Sequence, residues 1–323
     1  MQNKFKAFLL IAISSSLFGF ISFSFTNNLE TGHQTKINGN EFIKEDRTTV
    51  NGKVLCLILT TEDKIKDQAL PVWNNWAKYC HKSRFVLNAM NLTNILKYSN
   101  NKSYFSNEDE YKMILNLPIM HLNIIENYDR MAEKVLLSVK KSFDEYHDEY
   151  KWFLLVDDDT FIFVNHLYNF ILNRSYDDPV TYGYNFKTLV PTGYHSGGGG
   201  ILMTYEAIKR ISKNIENGIC AEKTGYGDVA LGRCAYKANI TLGNSLDELG
   251  RERFHYNAFP HHFKGIHPQW AYDYSSNPIR NGIDCCSDQS ISFHYTSIEQ
   301  MNFYANMFNQ TFFKNIYKDF RKK

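Results

Sequence analysis

Three consecutive carboxylates, Asp157, Asp158 and Asp159, lie between two apolar runs, Phe153–Val156 and Phe161–Val164, in the stretch KWFLLVDDDTFIFV. The first run has the composition of a strand buried on both faces. Adjacent carboxylates repel one another, and removing each from water costs several kcal/mol. A divalent cation offsets both terms. Oxygen ligands at a strand end suit Mn²⁺ or Mg²⁺ and, through the ion, the phosphates of a substrate. A solvated acidic turn is the plainer alternative.

Other residues carry chemistry of their own. Asp228, after Tyr226-Gly227 and before Val229–Arg233, stands where a helix begins, as an N-cap or as a general base. Thr60 and Thr61 close the apolar run Val54–Leu59. At the carboxyl end of a strand in an open α/β sheet they either contact a nucleotide or cap the next helix. Gly197–Gly200 follow Gly193-Tyr194-His195-Ser196 and let backbone approach a ligand closely. They match neither a dinucleotide fingerprint nor a P-loop, and apolar Ile201–Met203 directly after them predicts a tight, buried turn. His294 lies in the apolar run Ile291–Tyr295, where a core role is the usual one. His255, His261, His262 and His267 lack tight metal-ligand spacing, so Phe254–His267 reads as an exposed or partly buried loop. Trp270, Tyr272 and Tyr274 form an aromatic cluster.

Short apolar runs alternate with helical patterns, which predicts an α/β fold. Strands are expected at Val54–Leu59, Arg84–Leu87, Phe153–Val156, Val180–Tyr184 and Ile291–Tyr295. Pro71–Cys80 carries Val72, Trp73, Trp76 and Tyr79 at helical spacing. Tyr128–Tyr146 is a strongly amphipathic helix, with Met131, Val135, Val139, Phe143 and Tyr146 on one stripe. Lys134 lies off that stripe; it is solvated unless it reaches a phosphate or a base. Asn165–Leu172, Glu206–Asn214 and Met301–Phe313 are further helices, while Asn88–Asn127 has no clean period and is in part an exposed loop.

The chain has 323 residues and a net charge of +2, which gives no reason to expect nucleic acid. Ala7–Phe25 is uncharged and follows Lys4 and Lys6. That pattern fits an uncleaved signal anchor with a cytosolic N-terminus, a cleaved signal peptide being the alternative. Either leads the remainder into the secretory lumen. Sequons start at Asn91, Asn101, Asn173, Asn239 and Asn309. The six cysteines, Cys56, Cys80, Cys220, Cys234, Cys285 and Cys286, include no C-x-x-C pair; disulfides are expected rather than zinc. The organisation is then a tail at 1–6, an anchor at 7–25, a polar stem at 26–52, a catalytic domain at 53–313 and a basic tail at 314–323.

The stretches LCLILTT, WAKYC, WFLLVDDDTF, GYHSGGGG, DVALGRC and CCSDQSISFHY, in this order between about Val54 and Tyr295, resemble the Fringe-like β1,3-glycosyltransferases. Within that group they are most similar to the core 1 β1,3-galactosyltransferase branch. The resemblance implies a GT-A glycosyltransferase fold: a single Rossmann-like nucleotide-sugar domain behind a transmembrane helix in the Golgi membrane. It implies UDP-galactose as donor and GalNAc-Ser/Thr of a glycoprotein as acceptor, and it leaves a homodimer open. It implies Mn²⁺ on Asp157, Asp159 and His294, and an imidazole beside carboxylates does favour Mn²⁺ over Mg²⁺ or Ca²⁺. Asp228 becomes the base. Thr60, Thr61, Lys134, Asp157, Asp158, Gly198 and Gly199 would line the donor pocket, and Trp270 and Tyr295 would hold the acceptor sugar. Cys56–Cys80 and Cys220–Cys234 are the implied disulfides, leaving Cys285 and Cys286 as a vicinal pair or as thiols. An α-linked donor and a β-linked product mean one inversion, hence one displacement with a carboxylate taking the acceptor proton.

Two features depart from the family pattern. Gly227 stands where a glutamate is usual, and the 88–127 segment is longer than its counterpart by about 20 residues. Another donor or acceptor on the same fold is one alternative. A catalytically silent chaperone is another, against which the intact triplet, Asp228 and His294 argue.

Overall fold

The computed structural model describes residues 51–88, 108–124 and 127–309, all within the compact unit Phe42–Lys323. The expected anchor, most of the stem, the sequons at Asn91 and Asn101 and the basic tail lie outside the described residues. Among the described residues, no helix is long and apolar enough to cross a membrane.

The chain alternates β1 (Val54–Leu59), α1 (Leu70–Asn75), β2 (Lys82–Asn88), α2 (Glu108–Leu115), β3 (Ile119–Leu122), α3 (Met131–Tyr146) and β4 (Trp152–Asp157). It continues through β5 (Phe161–Ile162), α4 (Val164–Ile171), β6 (Val180–Tyr182), β7 (Asn185–Phe186), β8 (Tyr194–His195), β9 (Ile201–Thr204) and α5 (Tyr205–Glu216). The last elements are α6 (Gly227–Lys237), β10 (Thr241–Leu242), α7 (Phe259–Lys264), α8 (Gln269–Tyr274), β11 (Ser292–Phe293) and α9 (Ile298–Asn309). Seven strands form one sheet in the order β10-β6-β9-β4-β1-β2-β3. β4, β1, β2 and β3 are parallel, and β9 runs antiparallel between β4 and β6. The result is the expected mixed α/β fold around a mainly parallel sheet.

Both faces of the sheet are covered, which is why β1 is apolar throughout and β4 is apolar up to Asp157. Val54, Cys56 and Ile58 of β1 face one core with Trp152, Leu154 and Val156 of β4. The alternate residues face the other core, where Val135 and Val139 of α3, Ile208 and Ile211 of α5 and Leu231 of α6 pack. Two registers matter for function. β1 and β4 align Leu59 with Asp157, so Thr60 and the acidic triplet leave the sheet at one edge. β11 pairs with β5, Phe293 opposite Phe161, which returns residue 294 to the triplet.

Several sequence expectations are corrected. The Pro71–Cys80 helix stops at Asn75, because Trp76 turns out of helical geometry and its buried indole N–H donates to the Thr160 carbonyl at 2.9 Å. A single 3₁₀ turn then delivers Cys80 to Cys56. Val180–Tyr184 pairs only as far as Tyr182, and Ile291–Tyr295 pairs only at Ser292–Phe293. Phe254–His267 is partly buried, one of the two expected states, but it is not all loop. His255 and His262 are buried, and α7 lies within the stretch. His255 stacks on Phe293 with ring centroids 4.2 Å apart, and its Nδ1 bonds the Ser292 carbonyl at 2.7 Å while Nε2 is buried without a partner.

The disulfides are Cys56–Cys80, Cys220–Cys234 and the vicinal Cys285–Cys286. Cys220–Cys234 closes a loop of sequence separation 14 that contains Asp228. Replacing both cysteines with serine is expected to cost about 3 kcal/mol of stability. Denaturant titration against the wild type checks this.

Candidate active site

The acidic triplet sits at the exit of β4. Asp157 and Asp159 are partly exposed, and Asp158 is buried. His294 approaches from β11, with Nε2 3.1 Å from Asp159 Oδ1 and 3.7 Å from Asp157 Oδ2. Its Nδ1 faces the Tyr256 carbonyl at 3.2 Å. A carbonyl only accepts, so Nδ1 carries a proton and Nε2 is the ring nitrogen turned towards the two carboxylates. One ligand atom from each of the three residues lies within 4.8 Å of the others. Asp159 Oδ1 is buried without an aligned hydrogen-bond partner. Two carboxylates, one with an orphaned oxygen, and one imidazole nitrogen suit a divalent transition-metal ion.

The same carboxylates draw positive charge towards the site. Burial pulls the His294 pKa down, but Asp159 and Asp157 outweigh it and hold the imidazole above its ordinary value. For Asp159, burial pushes upward and the His294 contact wins, leaving its carboxyl lowered. Burial raises Asp157, only partly opposed by His294. Burial also raises Asp158, to about 6, against a Thr60 hydrogen bond and the Lys64 charge. Lys64 Nζ stands 3.6 Å from Asp158 Oδ1. Sequence reasoning missed Lys64, since a lysine in the polar run after β1 has nothing local to mark it.

The glycine turn is the wedge of the site. A Cβ at Gly198 would fall 2.0 Å from His294 Cε1, and one at Gly197 would fall 3.2 Å from Asp228 Cβ. Two side-chain-free residues thus let His294 and Asp228 approach the turn together. Thr160 Oγ1 donates to the Gly198 carbonyl at 2.7 Å, tying the turn to the triplet. Gly199 packs beside the His255 backbone, and its carbonyl accepts from Ser292 Oγ.

Asp228 is not an N-cap. Tyr226 holds that position, and Asp228 lies in the first turn of α6. Its Oδ2 accepts from Gly197 N–H at 3.2 Å and its Oδ1 from Val229 N–H at 2.8 Å. Burial nonetheless dominates and raises its pKa above the ordinary carboxylate value. Gly227 is buried against α3: an added Cβ would meet Val135 Cγ2 at 2.5 Å and the Met131 carbonyl at 3.0 Å. Gly227→Glu should therefore not restore an acidic neighbour. It is expected to lower stability by roughly 1–3 kcal/mol through overpacking, read from the denaturation midpoint.

The remaining candidates divide. Lys134 is buried, not solvated, and its Nζ donates to the Thr60 carbonyl at 2.6 Å. That links α3 to the end of β1 beside Asp158. Thr61 precedes a 3₁₀ turn but does not cap it with its side chain, donating instead to Asp63 at 2.5 Å. Tyr295 adopts φ +50°, a region side chains rarely enter, and stacks on His294 with centroids 3.7 Å apart while staying largely exposed. Trp270 is half exposed on α8, packed edge-on to Tyr256 and Phe186.

Residues 76–315 match the Fringe-like family model, and the chain belongs to that family. It is 31% identical over 253 residues to glycoprotein-N-acetylgalactosamine 3-beta-galactosyltransferase 1 of Xenopus laevis, a match covering 77% of this chain and 64% of that protein. It is 30% identical over 133 residues to the beta-1,3-glucosyltransferase of Mus musculus, covering 40% of this chain and 27% of that one. Chondroitin sulfate synthase 3 of Homo sapiens is 26% identical over 189 residues, or 55% of this chain and 21% of that protein.

Proposed function

We propose that this chain is an inverting β1,3-galactosyltransferase of GT-A type that transfers galactose from UDP-galactose to the 3-hydroxyl of GalNAc-Ser/Thr on glycoproteins. The observation that carries the reading is the meeting of two chemically different groups across Gly197-Gly198. On one side stand Asp157, Asp159 and His294; on the other stands the partly buried carboxylate of Asp228. Asp157, Asp159 and His294 would hold Mn²⁺. When bound, the ion supplies positive charge where the diphosphate leaves. Asp228 takes the proton of the attacking hydroxyl, and its raised pKa makes it a better acceptor than an exposed aspartate. Lys134, through Thr60, fixes the β1 exit against which a nucleotide would lie. Trp270 and Tyr295 offer open ring faces for a sugar.

The anchor at 7–25 would place the catalytic domain in the Golgi lumen as a single-pass type II protein. N-terminal sequencing of the mature protein is expected to begin upstream of that segment; a start near Thr26 would show cleavage instead.

The decisive assay offers a panel of UDP-sugars and GalNAc-peptides to the purified full-length chain, with the product linkage read by NMR. Galactose in β1,3 linkage, abolished by EDTA and restored by Mn²⁺, is the expected result. Full turnover in EDTA would sink the metal assignment. The 30% match to a glucosyltransferase supports a second reading, another donor on the same site, which glucose transfer in the panel would establish.

A further inference from the structure

We propose that Tyr128 and Tyr226 bind the peptide that carries the acceptor sugar, an extension of the acceptor site on the side of Asp228. The proposal rests on the reading of GalNAc-Ser/Thr as acceptor. Among the described residues these are the two most exposed aromatic side chains, at 79% and 70%. A tyrosine that open gains almost nothing from core burial, so folding alone does not account for either ring.

Their placement is specific. Tyr226 is the N-cap residue of α6, two positions before Asp228, and its side chain makes no capping bond. Tyr128 begins the 3₁₀ turn that leads into α3. The two backbones are joined: Gly225 N–H donates to the Asp129 carbonyl at 2.9 Å, and Ala132 N–H donates to the Gly225 carbonyl at 3.1 Å. Both rings therefore project from one braced junction. The junction leads directly to the base, since Gly225 stands three residues before Asp228 in the first turn of α6.

The chemistry of the rim selects its occupant. Neutral phenols offer a flat apolar face and a polar edge, and they adapt to varied partners without reading charge. A peptide of variable sequence, extending from a sugar already fixed over Asp228, meets those terms.

The test compares kcat/KM for a GalNAc-Thr peptide with apolar flanks against α-methyl GalNAc, using full-length wild type, Tyr128→Ala, Tyr226→Ala and the two Phe variants. Each Ala variant is expected to lower the peptide-to-methyl ratio by about five- to tenfold, mainly through KM for the peptide. The Phe variants should keep the wild-type ratio, because the ring face is retained. Ratios unchanged in both Ala variants, including equal losses on both acceptors, would overturn the proposal while leaving the acceptor reading intact. A wild type that uses neither GalNAc acceptor would overturn both.

Discussion

Asp228→Asn is expected to cut turnover by about 10²-fold or more while UDP and metal binding persist, within the usual range for loss of a general base. The amide keeps the shape of the carboxylate but cannot take the acceptor proton. Asp228 lies in the first turn of α6, separated from Asp157, Asp159 and His294 by Gly197-Gly198, so the donor side should tolerate the change. The pH profile sharpens the prediction. Burial raises the Asp228 pKa, with the Gly197 and Val229 N–H groups opposing it. A base works only when ionised, so kcat/KM should fall as pH drops through a pKa above the ordinary aspartate value. The acid limb assigned to Asp228 should be missing from the residual activity of Asp228→Asn. If calorimetry showed UDP binding lost in a folded variant, Asp228 would belong to the donor site. Near-normal turnover would reduce it to a helix-terminus carboxylate, and the base would have to be sought elsewhere around the cleft.

What was legible in the sequence follows from the length of each signal. β1 is a six-residue apolar run and β4 a five-residue one ending at Asp157, both buried on both faces and readable to within a residue or two. The α3 stripe was equally plain, because Val135 and Val139 repeat at the helical period and face one core. Where a residue's role depends on partners distant in sequence, the local pattern is silent. His294 follows a two-residue strand, too short to show a period, and only the β5–β11 register brings it to Asp157 and Asp159. The break of α1 at Trp76 arises from an indole hydrogen bond to Thr160, 84 positions away. At the start of α6 Asp228 accepts from one helical N–H, that of Val229, and from Gly197 N–H in the distant glycine turn. The burial that outweighs them comes from tertiary packing and leaves no trace in a dipeptide. The disulfide pairing came with the family resemblance; the cysteine spacing alone left it open.

The glycines show the same limit from the other side. Gly197–Gly200 announced a close approach, but not of what. The ring of His294 occupies the space beside Gly198: an added Cβ would lie 2.0 Å from Cε1, 2.2 Å from Nε2 and 2.3 Å from Nδ1. No real contact is that short, so either the turn or the imidazole must move. The turn is held, with the Gly198 carbonyl bonded to Thr160 and Gly200 N–H donating to the Gly197 carbonyl at 2.9 Å. The imidazole is a side chain held by a 3.2 Å contact to the Tyr256 carbonyl, a 3.1 Å contact to Asp159 and one face stacked on Tyr295. Gly198→Ala should therefore expel the ring from the carboxylates. Losing a correctly oriented ligand typically costs about 10- to 100-fold in metal affinity. Mn²⁺ affinity, followed by EPR or calorimetry, should fall by that amount, and UDP binding in Mn²⁺ should fall with it. The fold should survive, because Gly198 does not have positive φ and alanine can adopt its backbone. A double-mutant cycle separates this mechanism from a general disturbance. In a His294→Ala background the clash is gone, so Gly198→Ala should add almost nothing to the loss. Fully additive losses would mean that the glycine acts on something other than the imidazole. Wild-type Mn²⁺ affinity in Gly198→Ala alone would mean that His294 is not a metal ligand.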